Sequence, residues 1–142
     1  MSTYRIHLKS IVNMKRIMYI VAFITFIFCS STLSTLYFWI KKDVRCNIEL
    51  AENKYQLHGE EALIAFLVDE DNSPYDRTHL AIWTLGKIRS KKALPILKTY
   101  YLNDPKGQFC KNRHHEKLCQ YEIHKALVAI ETGSILSYAQ LK

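Results

Sequence analysis

Residues 17–40 read IMYIVAFITFIFCSSTLSTLYFWI, an apolar run without a charged side chain. As a helix rising 1.5 Å per residue it would be about 36 Å long, enough to cross a hydrocarbon core of about 30 Å with some tilt. Lys15 and Arg16 close it on one side, and Lys41, Lys42 and Asp43 on the other. Tyr19 lies at one end and Tyr37 and Trp39 at the other, where amphipathic rings favour the lipid–water interface. A cleaved secretory signal is the competing reading. Its apolar region usually spans about 7–15 residues and ends at small residues. This run is longer, bulky residues follow its serines, and Ile27-Phe28 before Cys29 does not fit a lipoprotein signal. The expectation is an uncleaved, single-pass anchor embedded in membrane lipid.

Charge is distributed to match. Arg5, Lys9, Lys15 and Arg16 make residues 1–16 a short basic tail with no acid, read as flexible. The whole chain carries +7; without that tail it carries +3, an ordinary soluble surface. The basic excess therefore suits anionic lipid near the tail, and no nucleic-acid partner is expected. Lys41, Lys42, Arg45 and Lys54 nearly balance the tail across the span. The shortness of the tail favours a cytosolic N-terminus and a C-terminal domain on the extracytoplasmic side.

Past the span the period is helical throughout, so the expected fold class is all-α. Val44, Ile48, Ala51 and Tyr55 predict an amphipathic helix over 44–57, starting so soon after residue 40 that the domain is expected near the bilayer. His58-Gly59 breaks it. Ala62, Leu63, Phe66 and Leu67 mark a second helix over 60–69. Ser73-Pro74-Tyr75-Asp76 is a start signal: a serine cap, a proline at the first position and an acid at the third. That helix runs to Ile88, with Leu80, Ala81, Trp83, Thr84, Leu85 and Ile88 as its less polar positions and Trp83 read as core. After the polar turn Arg89-Ser90-Lys91, a helix over 92–102 turns Ala93, Leu94, Leu97 and Tyr101 inward, with Pro95 in its first turn. A hydrophilic insertion at about 104–115 follows. A helix over 116–131, with Leu118, Ile123, Ala126, Leu127 and Ile130 inward, ends at Gly133, and a short terminal helix is expected at 134–140.

The segment Arg77–Leu97, RTHLAIWTLGKIRSKKALPIL, resembles the HEAT-like repeat in the short form also found in phycobilin lyases. Arg77 opens the first helix, Ala81 lies on its apolar stripe, and Leu85-Gly86-Lys87-Ile88 closes it. Ala93 and Leu97 carry the spacing of the second helix. Small residues at Ala81 and Gly86 would let two helices approach closely, with Leu85 and Ile88 filling the groove between them. Leu127-Val128-Ala129-Ile130 repeats the closing motif 42 residues on, and Ala62, Leu63 and Phe66 fall on Ala93, Leu94 and Leu97 after 31 residues backward. The resemblance thus covers most of 44–142. It implies a short right-handed α-solenoid of antiparallel helix pairs behind the anchor. About two and a half units is the least that buries a continuous core, and such a stack exposes a face at each end. A protein partner across those faces is expected, with a second copy of the chain as an alternative.

The insertion carries the most unusual residues: Cys110-Lys-Asn-Arg-His114-His115-Glu-Lys-Leu-Cys119. Cys110 and Cys119 could form a disulfide, which an oxidising compartment would favour. They could stay as thiols. With His114 and His115 they also offer zinc-ligand types, although adjacent histidines point apart on a regular backbone. Cys29 and Cys46 read as small apolar residues, and Ser30/Ser34 and Ser31/Thr35, each four apart, as a weak helix-contact stripe. Asp69-Glu70-Asp71-Asn72 lacks the calcium-loop pattern and reads as a solvated turn. Lys87, Arg89, Lys91 and Lys92 form a basic helix end. Nothing resembles a nucleophile elbow, a phosphate loop or a dinucleotide fingerprint. The reading is a membrane-anchored interaction module without catalysis or cofactor. Alternatives are tetrapyrrole binding or lyase activity, by resemblance, and a structural subunit of a membrane complex.

Overall fold

A computed structural model describes residues 2–133, with side chains from residue 16 onward. The helix expected at 134–140 lies outside the described residues. Among the described residues every regular element is helical. The chain divides between Lys41 and Lys42 into two compact units.

The first unit is the N-terminal part of α1, Ser2–Tyr55. The tail expected to be flexible is helical from Ser2, and the helices read as separate at 17–40 and 44–57 belong to one element. No glycine or proline interrupts residues 2–55, so nothing in the backbone chemistry stops the helix at the charged positions. Within α1, residues 16–55 contain a stretch long and apolar enough to span a membrane, and none of that stretch is buried. Phe38 and Trp39 are 77% and 66% exposed. Four hydroxyls of the run bond within the helix. Thr25 and Thr32 donate to the carbonyls of Ala22 and Cys29, and Ser34 and Thr35 to those of Ser30 and Ser31, all at 2.9 Å. A helix with no water to bond its polar groups needs that internal pairing.

The second unit begins with the last turns of α1, where Ala51 is fully buried and Ile48 and Tyr55 pack on the core. α2 (Glu60–Val68) buries Ala62, Leu63, Phe66 and Leu67. Then come α3 (Pro74–Asp76), a π-helical segment (Arg77–Ile82) and α4 (Trp83–Ile88). The start is built as its residues require: Ser73 Oγ accepts from the Asp76 amide at 3.1 Å and donates to the Asp76 carboxylate at 2.6 Å. Arg89 takes a left-handed conformation, and the Ser90 amide reaches back to the Leu85 carbonyl, ending α4 with a wrapped turn. A 3-10 turn (Lys91–Ala93) leads into α5 (Leu94–Tyr100), and α6 is Gln120–Thr132, closed by Gly133 at φ 64°. α6 starts four residues later than the periodicity predicts, because Cys119 takes an extended backbone at its N-cap and Leu118 precedes the helix.

The core joins α2, the π segment, α4, α5 and α6 through Leu63, Leu67, Ile82, Leu85, Leu97 and Ile123, all fully buried. Each such side chain contributes about 1.5–3 kcal/mol of apolar transfer. Gly86 explains how α4 and α6 come together: a Cβ there would lie 3.0 Å from both Cα and Cβ of Ala126. The close approach expected of Gly86 is made with α6 rather than with the helix that follows it in sequence. Trp83 is not a core residue; it is half-buried beside an open cleft, with Lys87 Nζ 5.5 Å from its ring. The π segment moves the inward face by one position, so Ile82 is buried and Ile88 is 37% exposed.

Polar groups brace this core. Arg77 is buried, donates from Nε to the Leu67 carbonyl at 2.7 Å, and lays its guanidinium over Tyr100. Ser90, read as part of a polar surface turn, is buried; it accepts from the Ala93 amide and donates to Glu60. The Asp69–Asn72 turn is likewise more than a solvated link. Tyr55 donates to Asp69, Lys54 pairs with Asp69 at 3.3 Å, and buried Asn72 donates to Tyr55 and to the Phe66 carbonyl at 2.7 and 2.8 Å.

Candidate cysteine–histidine site

The insertion between α5 and α6 is held by backbone chemistry first. Asp104 accepts the Phe109 amide at 2.7 Å, and the Gly107 amide bonds the Asp104 carbonyl. Those backbone donors, Phe109 foremost, keep the Asp104 carboxyl below its ordinary range. Gly107 sits at φ 64°, where a Cβ would meet Tyr121 Cβ at 3.0 Å and Cys110 Sγ at 3.3 Å. Glycine is required there for both reasons. The chain then turns through Cys110–Arg113, with the Arg113 amide on the Cys110 carbonyl and its guanidinium on the Phe109 carbonyl at 3.0 Å each.

From the other side, Gln120 is buried and stitches α6 to the end of α5. Its side chain accepts from the Leu102 amide and donates to the Tyr100 carbonyl, at 2.7 and 3.1 Å. The Cys119 amide donates to buried Thr78 Oγ1 at 3.2 Å, which fixes Cys119 against the π segment. Beside it, Tyr101 Oη and His124 Nδ1 are 3.1 Å apart.

These supports bring Cys110 and Cys119 together in the interior. Their sulfurs are 3.4 Å apart, beyond the roughly 2.05 Å of a disulfide, and both are free thiols. The Gln120 amide donates to Cys110 Sγ at 3.2 Å, and the Cys110 thiol lies 3.3 Å from the Gly107 carbonyl. Burial raises the Cys119 thiol to about 11, against partial relief from the Glu122 and Tyr121 amides. His114 joins the pair, and one ligand atom from each of Cys110, His114 and Cys119 lies within 4.8 Å of the others. His115 goes elsewhere: its ring stacks on Tyr75 at 5.3 Å, and Tyr75 in turn meets His79 at 4.2 Å. The two histidines thus separate. Cys46 is exposed on α1 and takes no part.

The repeat-motif residues lie together but outside this site. Arg77, Ala81, Leu85, Gly86, Ala93 and Leu97 are buried, and Ile88 is the exposed exception. Of the basic helix end, Lys92 is paired with Glu60 and Glu61 at 3.2 and 3.1 Å, while burial lowers Lys87. A separate open cleft of about 320 Å³ is lined by Asp43, Cys46, Asn47, His79 and Trp83. Thr78, Gly107 and Gln120, which position the cysteines, carry no motif of their own. The one local signal was Gly107, three residues before a cysteine in a turn. No family model matches the chain, and no curated protein or solved structure matches it.

Proposed function

We propose that this chain is a membrane-anchored helical scaffold, whose second unit holds a protein partner at a bilayer surface. The observation that carries the reading is the bare apolar helix. Side chains from Ile17 to Ile40 are exposed, large ones included, and the hydroxyls of Thr25, Thr32, Ser34 and Thr35 bond inside the helix. A surface of that size and continuity belongs in lipid rather than in water. A signal sequence shares its composition and position; the length of the run and the bulky residues after its serines favour retention.

We read the second unit as a short HEAT-like stack of antiparallel helix pairs. Support comes from the Gly86–Ala126 approach, which sets side by side the two helices that carry the closing motif. Ala62, Leu63 and Phe66 on α2, Ala93 in the 3-10 turn and Leu97 on α5 fill the same core. The stack's end faces are the surfaces for a partner. Leu102, Phe109 and Tyr121, 58%, 44% and 42% exposed, offer apolar anchors on the surface of the second unit.

Photo-crosslinking residues at Leu102 and Tyr121, in the full chain in its native membrane, test the scaffold reading. One discrete heteromeric adduct is expected. Adducts to lipid alone, or to a second copy alone, would contradict it. For sidedness, the exposed Cys46 is the reporter, since Cys110 and Cys119 are buried. An impermeant thiol reagent applied outside intact cells is expected to label Cys46; labelling only after lysis would reverse the orientation.

A further inference from the structure

We propose that Cys110, His114 and Cys119 form a three-ligand site for a zinc-class divalent ion, with a fourth position open at the protein surface. The inference rests on none of the observations that support the membrane and scaffold reading. Zinc bound by thiolates at about 2.3 Å in a tetrahedron sets its sulfurs about 3.8 Å apart. The observed 3.4 Å is within a few tenths of an ångström of that edge. The third donor belongs to a surface residue on the loop, and it has to close by about 1 Å from the 4.8 Å limit to complete the set.

Three features favour a metal over a disulfide at the same pair. A disulfide has no use for His114, yet the loop delivers that imidazole to the sulfurs while sending His115 to Tyr75. The Gln120 amide donates to Cys110 Sγ at 3.2 Å. Amide donors satisfy the charge that a metal-bound thiolate keeps and a disulfide lacks. The pair is also braced from beyond itself, through Thr78 and through the cramped glycine at 107.

The chemistry balances without an oxidant. Two thiols release two protons as the dication binds, and the resulting unit of one dication, two thiolates and one neutral imidazole is uncharged. A neutral centre is the form that a buried pair of sulfurs tolerates. Its structural effect is to tie the loop after α5 to the N-cap of α6. Soft thiolate and imidazole donors select zinc over magnesium or calcium. The open fourth position takes water.

The test uses the full chain in detergent micelles, purified with reductant and then freed of it, and zinc chloride or cobalt chloride as the probe. One zinc per chain is expected, and cobalt should give the absorption of a tetrahedral thiolate site. Cys110→Ser and Cys119→Ser are each expected to weaken zinc by about 100-fold or more. His114→Ala should weaken it by at least about tenfold, and His115→Ala should leave it unchanged. Because a serine variant could lose the loop fold, the surface substitution His114→Ala carries the decision. Zinc binding that ignores His114→Ala, or that falls equally with His115→Ala, would overturn the site. So would protein from its native membrane, trapped by alkylation, whose Cys110 and Cys119 are oxidised to each other.

Discussion

Gly86→Ala is a small change with a computable conflict. Alanine relieves the entropic penalty of glycine in a helix by about 1 kcal/mol at an interior position. Gly86 lies two residues from the end of α4, so less than that is recovered. Against it stands the α6 backbone: the new Cβ would meet Cα and Cβ of Ala126 at 3.0 Å. A backbone atom cannot rotate away, so the two helices must separate or the core must shift, at about 1–3 kcal/mol. The expected net loss is about 1 kcal/mol, a roughly fivefold rise in the unfolded fraction. Gly86→Leu should cost about 3 kcal/mol or more by the same overpacking. The assay is denaturant unfolding of the full chain in micelles, followed by Trp83 fluorescence in a Trp39→Phe background. Adding Ala126→Gly to Gly86→Ala removes one of the two close atoms and should recover part of the loss. The pair should show a coupling energy of about 0.5 kcal/mol or more. A Gly86→Ala protein as stable as its parent, or more so, would refute the close approach of α4 and α6.

Other consequences follow from the polar braces. Asn72→Ala leaves the buried Phe66 carbonyl and the Tyr55 hydroxyl short of a donor, and should cost about 1–3 kcal/mol in the same unfolding assay. Ser90→Ala removes the cap on the Ala93 amide and should cost about 1–2 kcal/mol, whereas Ser90→Thr should retain most of it. Acid should destabilise the second unit. Asp69 is held below its ordinary 3.8 chiefly by the Tyr55 hydroxyl, Glu60 below 4.5 by Ser90 and Lys92, and Asp104 below 3.8 by the Phe109 amide. A carboxyl with a lowered folded pKa gives stability that is whole above the unfolded value and lost as pH falls through the folded one. The unfolding midpoint should therefore hold down to about pH 5 and decline below about pH 4, and Tyr55→Phe should flatten that decline. A midpoint that does not change on acidification would contradict these contacts.

Much of the helical register was legible because it rests on local periodicity. Ala51, Ala62, Leu63, Phe66, Leu97 and Ile123 repeat at helical spacing and all are buried. Ser73 and Gly133 announce their helix ends by residue type. What escaped the sequence depends on contacts between distant residues. The π segment displaces Trp83 and Ile88 from the core, and an inserted residue in a helix leaves no compositional mark. Asp69-Asn72 looked solvated because Lys54 and Tyr55, its partners, lie on another helix. The late start of α6 follows from Cys119 being held by Thr78, 41 residues earlier. At the candidate site the residue types were visible in order. The choice of His114 over His115 was not, since it turns on Tyr75 capturing one ring.

The central claim is that residues 17–40 remain on the chain and lie in lipid. Alkaline carbonate extraction of native membranes, followed by intact mass of the extracted protein, tests it most directly. The account predicts that the protein stays in the membrane pellet with residues 17–40 still on the chain. Release into the supernatant, or a chain shortened by loss of the apolar run, would contradict it.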